Sequence, residues 1–204
     1  MDRKQHWETV YETKQSADVS WFQPLPTKSL ELIEAAGAGP ASAIIDIGGG
    51  DATLVDSLLN RGYQQITVLD VSGAALRRAR TRLGSRAAAV TWVEADVTKA
   101  VLTAAAYDVW HDRAVFHFLT AADDRARYVA VASESLRPDG TLIVGTFALD
   151  GPARCSGLDV VRYSPETLAH EFESAFTFQH GCGDVHATPW GVEQRFTFAT
   201  LRRR

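Results

Sequence analysis

The nine residues 43–51, Ala-Ile-Ile-Asp-Ile-Gly-Gly-Gly-Asp, constrain this chain more than any other stretch. An apolar run carrying one acid ends in three glycines and feeds a helical pattern over 52–60, with Leu54, Val55, Leu58 and Leu59 on one face. Physically this is a buried parallel strand that turns tightly into a helix, the glycines allowing unusual backbone angles and close approach of a ligand to the main chain. The next strand-like run, Gln65–Asp70, ends in an acid about 20 residues past the glycines. That is the nucleoside-binding layout of doubly wound sheets, in which the second acid takes the ribose hydroxyls.

The rest of the chain alternates in the same way. Strands are predicted at 88–94, 107–111 and 141–147, and helices at 73–83, 99–105 and 122–136. Before the first strand, Thr27 is placed to cap a helix running to about Ala36. Pro138-Asp139-Gly140 makes a turn. Ser164-Pro165-Glu166 opens a capped helix over 164–172, with proline at its first position. Late strands follow at 176–182 and 192–201, joined by a loop too short for a helix, so an antiparallel hairpin is expected there. Strands alternating with helices imply a mostly parallel sheet covered on both faces. Residues 1–26 stand apart: polar, punctuated by Trp7, Tyr11, Trp21 and Phe22, then Pro24 and Pro26.

Composition narrows the function classes. With 204 residues, the chain has the length of one domain with a sizeable core. Its net charge of −4 and lack of a basic stripe, apart from Arg202–Arg204, do not support a nucleic-acid groove. Cys155 and Cys182 give neither a disulfide framework nor a metal spacing. No apolar run approaches a membrane span, and the first residues lack a signal-peptide core, so a cytoplasmic setting is expected, with no membrane partner.

The glycine run discriminates between cofactors. A dinucleotide site wants a third glycine where Thr53 stands, and Asp51 at the helix start repels a pyrophosphate. Asp46, just before the glycines, suits an amino group instead. Both departures point to an adenosine cofactor with a cationic end and no phosphates: S-adenosylmethionine, with S-adenosylhomocysteine as its product. At this point the chain resembles the class I S-adenosylmethionine-dependent methyltransferases. The acid-glycine motif is Asp46-Ile47-Gly48-Gly49-Gly50, with Ala52 where a further glycine is frequent. Asp70 in Val68-Leu69-Asp70-Val71-Ser72 matches the ribose acid, Asp96 in Val93-Glu94-Ala95-Asp96-Val97 the adenine-contacting acid, and Leu136-Arg137-Pro138-Asp139-Gly140 the turn before the fifth strand. The resemblance implies an α/β fold, a doubly wound, seven-stranded, mostly parallel sheet with an antiparallel last strand, in a single domain over 1–204. It further implies that Val71 packs on adenine and that the Val97 amide meets its ring. Trp7, Tyr11 and Trp21 then form an aromatic flap, within 1–26, over the methionine end; plain core packing is the competing reading for them.

The segment from Tyr107 to Leu119, with Asp112-Arg113 inside it, resembles two branches: the thiopurine and chalcogen methyltransferases, and the small lysine methyltransferases. The acceptor therefore stays open between a small molecule and a protein side chain, and a non-catalytic cofactor-binding protein is the third alternative. His111 and His117 are general-base candidates because imidazole titrates near neutrality; a hydrogen-bonded structural role competes. His111 is also placed among the cofactor-binding residues, with Asp46, Gly48, Gly50, Asp70, Val71, Asp96 and Val97. Asp112 is the best-placed acid for an amine acceptor, or else an ion-pair partner for Arg113. His186 is expected in a loop reaching the strand ends. The arginines of 77–82 are read as a solvated helix face, both cysteines as inert, and no metal site is expected.

Overall fold

The computed structural model describes residues 2–204. Strand β1 (Ala43–Ile47) is buried along its whole length. Parity divides it: Ile44 joins one core with helices α2 (Thr27–Ala35), α3 (Leu54–Asn60) and α4 (Gly73–Leu83), while Ile45 and Ile47 join another with α5 (Ala122–Ser135) and α6 (Pro165–Glu171). Successive side chains on a strand point to opposite faces, so an unbroken apolar run is what a sheet covered on both sides requires.

The main sheet adds β2 (Gln65–Asp70), β3 (Val90–Glu94), β4 (Tyr107–Arg113), β5 (Leu136–Phe147), β8 (Phe176–Ala187) and β9 (Glu193–Arg203). Its order is β3-β2-β1-β4-β5-β9-β8. β1 to β5 run parallel, and β9 runs antiparallel to both neighbours. This is the expected doubly wound, seven-stranded architecture. A two-stranded flap, β6 (Arg154–Cys155) and β7 (Leu158–Asp159), follows β5. The chain steps outward from β1 to β3 and returns to lay β4 on the other side of β1, so a crevice opens where the C-terminal ends of β1 and β4 diverge.

Several local expectations are corrected. No helix forms over 99–105. The chain turns there, Lys99 N–H donating to the Asp96 carbonyl, and Ala105 and Ala106 donate to the carbonyls of Glu134 and Ser135 at the end of α5. Thr27 is the first helical residue and makes no cap, while Ser164 forms the expected capping box. The turn at 138–140 lies inside the continuous strand β5, where Asp139 takes φ +62°. Residues 3–13, read only as a polar aromatic segment, form helix α1 (Arg3–Thr13), capped by Asp2. Among the described residues no helix is long and apolar enough to cross a membrane.

Candidate functional site

The three glycines after β1 serve three purposes. Gly48 takes φ +66°, a left-handed conformation that favours glycine, and a side chain there would run into Val115. Gly49 leaves room for the Asp46 carboxylate, which a Cβ would meet at 2.3 Å; Gly50 leaves room for that of Asp70, met at 2.5 Å. Gly50 thus does not itself line the crevice; it makes space for the acid that does. Asp46 is 3 % exposed. His111 Nδ1–H donates to its Oδ1 at 2.7 Å, and Ser29 Oγ–H donates to His111 Nε2 across 2.9 Å.

The crevice has two connected halves that share Tyr11, Trp21, Ile47, Gly48 and Arg113. The first, with about 810 Å³ of atom-free space including its mouth, is lined by Trp7, Asp70, Val71, Asp96, Val97, Phe118, Phe147, Cys155 and Phe196 among others. The second is lined by Ser29, Asp46, Gly49 and His111. Ten residues named from the sequence thus converge on one crevice: Trp7, Tyr11, Trp21, Asp46, Gly48, Asp70, Val71, Asp96, Val97 and His111. Asp70 accepts from Ser72 N–H at 2.8 Å and pairs with no cation among the described residues. Burial pushes its carboxyl up to about 7. A buried carboxylate short of donors fits a ribose diol, which brings two. Asp46, backed by a histidine, fits an amino group. S-adenosylmethionine carries both.

Helix α1 roofs this region. Arg3 binds Asp96 (3.0 Å) and Asp124 (2.6 Å), so the adenine-side acid is already held by a cation. Glu8 accepts from Ser72 Oγ at 2.5 Å and from Ala74 N–H at 3.1 Å, meeting the free donors at the start of α4. Trp7, Tyr11, Trp21 and Phe118 make tilted or edge contacts, with ring centroids 5.1–6.4 Å apart.

The structure corrects the catalytic candidates. Asp112 is fully buried on the face opposite Arg113, since neighbours on a strand alternate, and it neither lines the crevice nor pairs with that arginine. It accepts from Val115 N–H (2.9 Å), Phe116 N–H (3.1 Å) and Tyr128 O–H (2.6 Å), fixing the turn after β4; burial pushes it up to about 6. His117 is fully buried too. Its Nδ1 accepts from Phe147 N–H, and burial together with Arg113 lowers it to about 3, too weak for a general base. His111 has both ring nitrogens engaged by Asp46 and Ser29, which leaves it a positioning role. His186 sits on β8, not in a loop, and donates to the Ser20 carbonyl at 2.7 Å. The arginines of α4 are not merely solvated: Arg82 and Arg78 neutralise Asp51, which Ser16 also contacts. The expected bare charge at the start of α3 is therefore compensated.

Sequence reasoning missed the far wall: Arg113 as a lining residue, with Phe118, Phe147 and Phe196, and Cys155 from the β6–β7 flap. Burial raises the Cys155 thiol to about 11, in keeping with an inert cysteine. Phe147, the last residue of β5, pairs with Phe196 on β9, which is a signal the alternation contained. No cluster of metal-binding side chains occurs among the described residues.

Residues 44–140 match the family model described as a methyltransferase domain. No curated protein matches the chain. Among solved structures, the chain is similar to one described for the conversion of a disulfide bond into a thioacetal group during echinomycin biosynthesis: TM-score 0.77, 18 % identity, 98 % of this chain and 92 % of that one. It is also similar to the 1,6-didemethyltoxoflavin-N1-methyltransferase of Burkholderia thailandensis, solved with 1,6-didemethyltoxoflavin and S-adenosylhomocysteine (TM-score 0.72, 19 % identity, 98 % and 86 % covered). A third is the N-methyltransferase NodS of Bradyrhizobium japonicum, in complex with S-adenosylhomocysteine (TM-score 0.71, 19 % identity, 96 % and 97 % covered). At these identities the structural likeness speaks for the fold.

Proposed function

We propose that this chain is a class I S-adenosylmethionine-dependent methyltransferase and that its acceptor is a small molecule taken into the aromatic half of the crevice, a reading supported by the methyltransferase-domain match over residues 44–140 and by the fold it shares with such enzymes. The observation that carries this reading is the enclosure of that half: α1 and the following loop roof it with Trp7, Tyr11 and Trp21, and Phe118, Phe147 and Phe196 wall it. A lysine on a protein calls for an open acidic approach. The charge on the acceptor side is instead the cation Arg113.

Bound at the crevice, the cofactor would supply an electrophilic methyl on sulfur for the acceptor's lone pair, with S-adenosylhomocysteine as the leaving group and the proton of a thiol acceptor released to solvent. The chain's own residues bind and align. Asp70 would take the ribose hydroxyls, Val71 would pack on the adenine, the Val97 amide would meet its ring, and Asp96, shared with Arg3, would serve the adenine side. Asp46, held by His111 and Ser29, faces the amino group, and the glycine turn lets the chain approach closely. The N-terminal segment acts as a flap that excludes water and orders the donor for in-line attack. With Asp112, His111 and His117 all engaged elsewhere, the site favours an acceptor that needs little help from a base, such as a thiol. The test is radiolabelled donor with a panel of small thiols and amines, set against the same donor with a cell lysate resolved on a gel. Label in small products supports the proposal; label confined to protein bands overturns it. A protein that binds S-adenosylhomocysteine but labels neither set is non-catalytic.

A further inference from the structure

Among the described residues, Arg113 is a cation without an ion-pair partner. It ends β4, and its guanidinium lies 4.4 Å over the Phe196 ring. One nitrogen donates to the Trp21 carbonyl at 3.2 Å, while Nε and Nη2 are buried with no hydrogen-bond partner. Asp184 is the acid whose charge acts on it, but the two form no ion pair, and burial lowers the guanidinium to about 10. Its other titratable neighbours supply no counter-charge: His117 and His186 are lowered by burial first and by Arg113 second, and burial raises the Cys155 thiol. Leaving two guanidinium donors unpaired in a desolvated site is costly, and an oxyanion, which a guanidinium binds through two parallel bonds, relieves that cost.

The position identifies whose anion. Strands lie about 4.8 Å apart, so β4 stands roughly 10 Å along the sheet from Asp70 on β2, and β9 roughly 10 Å further. The guanidinium leans toward β9, away from the ribose acid. It lines both halves of the crevice, but its stacking partner is Phe196 on β9, and Phe147 and Cys155 line the same half as that ring. Ala114, next in the chain, holds φ +73°, a conformation uncommon for a residue with a side chain, so the turn that presents Arg113 is built at some cost. We propose that Arg113 is a specificity residue that pairs with a carboxylate on the methyl acceptor, and that the acceptor is therefore a small aromatic acid. The inference deepens the small-acceptor reading and rests on it.

The experiment uses the full chain loaded with S-adenosylhomocysteine and measures binding of phenylacetate, indole-3-acetate and 2-mercaptobenzoate against their amides by calorimetry. The wild type is expected to prefer acid to amide by at least about 10-fold in at least one pair, a modest share of what a charge-assisted contact contributes. In Arg113→Gln that preference collapses to within about twofold; Arg113→Met is the second neutral variant should the first not fold. No acid preference in the wild type, or a preference that the neutral variants keep, overturns the proposal. A parallel titration asks whether Arg113 instead serves the donor's own carboxylate. The preference for S-adenosylhomocysteine over 5′-methylthioadenosine, which lacks that carboxylate, is expected to be equal in wild type and variant; its loss in the variant overturns the assignment to the acceptor. If acids bind selectively but no small molecule of a wider panel is methylated, the pairing stands and the small-acceptor reading fails, so the two failures are distinguishable.

Discussion

Asp70 and Asp112 are both buried acids raised by burial, yet they have opposite fates. Asp112 meets three donors from the protein, while Asp70 faces the crevice with backbone N–H groups alone, Ser72 at 2.8 Å and the nearby Gly50. Asp70 is thus the acid of the two that is open to a ligand. Its folded carboxyl, near 7 against 3.8, binds a proton that the unfolded chain releases, so its contribution to stability is fully present below about 4 and is lost as pH rises through 7. Ribose hydroxyls need the ionised form as acceptor, so affinity for S-adenosylhomocysteine is expected to fall as pH drops below about 7, and Asp70→Asn flattens both trends. Asp70→Ala is expected to weaken binding about 10- to 150-fold, the value of a charge-assisted hydrogen bond of roughly 1.5–3 kcal/mol. Binding within twofold of wild type by calorimetry would reduce Asp70 to a structural acid. Asp112→Ala strands three buried donors at about 1–3 kcal/mol each, so a loss of at least 3 kcal/mol is expected in denaturant melts, with turnover per folded molecule retained. Turnover lost while fold and cofactor affinity survive would restore Asp112 as a base.

At the scale of elements, α1 behaves as a separate piece latched onto the sheet. Its polar contacts go to the ends of other elements: Arg3 to Asp96 and Asp124, Lys4 to Glu94, Glu8 to the start of α4. Its apolar contribution is chiefly Trp7 and Tyr11, which join Ala74, Ala75 and Trp21 in a small cluster apart from the two main cores. Half-exposed ion pairs of this kind are individually weak and screened by salt. Removal of residues 1–24 is therefore expected to leave the sheet folded, by far-UV circular dichroism, while cofactor affinity and turnover fall together. A truncated protein that loses stability but binds S-adenosylhomocysteine like the full chain, measured well below its melting temperature, would make these aromatics simple packing. High salt should mimic the truncation in part, by loosening the latch.

At the scale of the whole molecule, what the sequence made legible was what neighbouring residues encode. The strand, acid and glycines of 43–51 and the acid at 70 are local patterns, and the order of elements follows from their alternation. The hidden features join distant residues: His186 pinning the carbonyl of Ser20, 166 positions away, or Arg3 reaching Asp96 and Asp124. Likewise, nothing local distinguishes Arg113, with its unpaired guanidinium, from Arg77 or Arg82. The crevice lies between the sheet and the N-terminal segment, so a ligand there ties together parts that are otherwise held by α1's latch and by contacts such as His186 with Ser20. Ligand at 100 times its dissociation constant adds about 2.7 kcal/mol to stability. For a domain of this length each kcal/mol moves the melting temperature by about 2–4 °C. S-adenosylhomocysteine at that ratio is therefore expected to raise it by about 5–11 °C. NAD, whose pyrophosphate finds Asp46 and a third glycine replaced by Thr53, should leave it unchanged at the same concentration. A shift with NAD equal to that with S-adenosylhomocysteine would mean that the glycine turn does not discriminate between the two by phosphate, and that the reading of Asp46 as an amine partner is wrong.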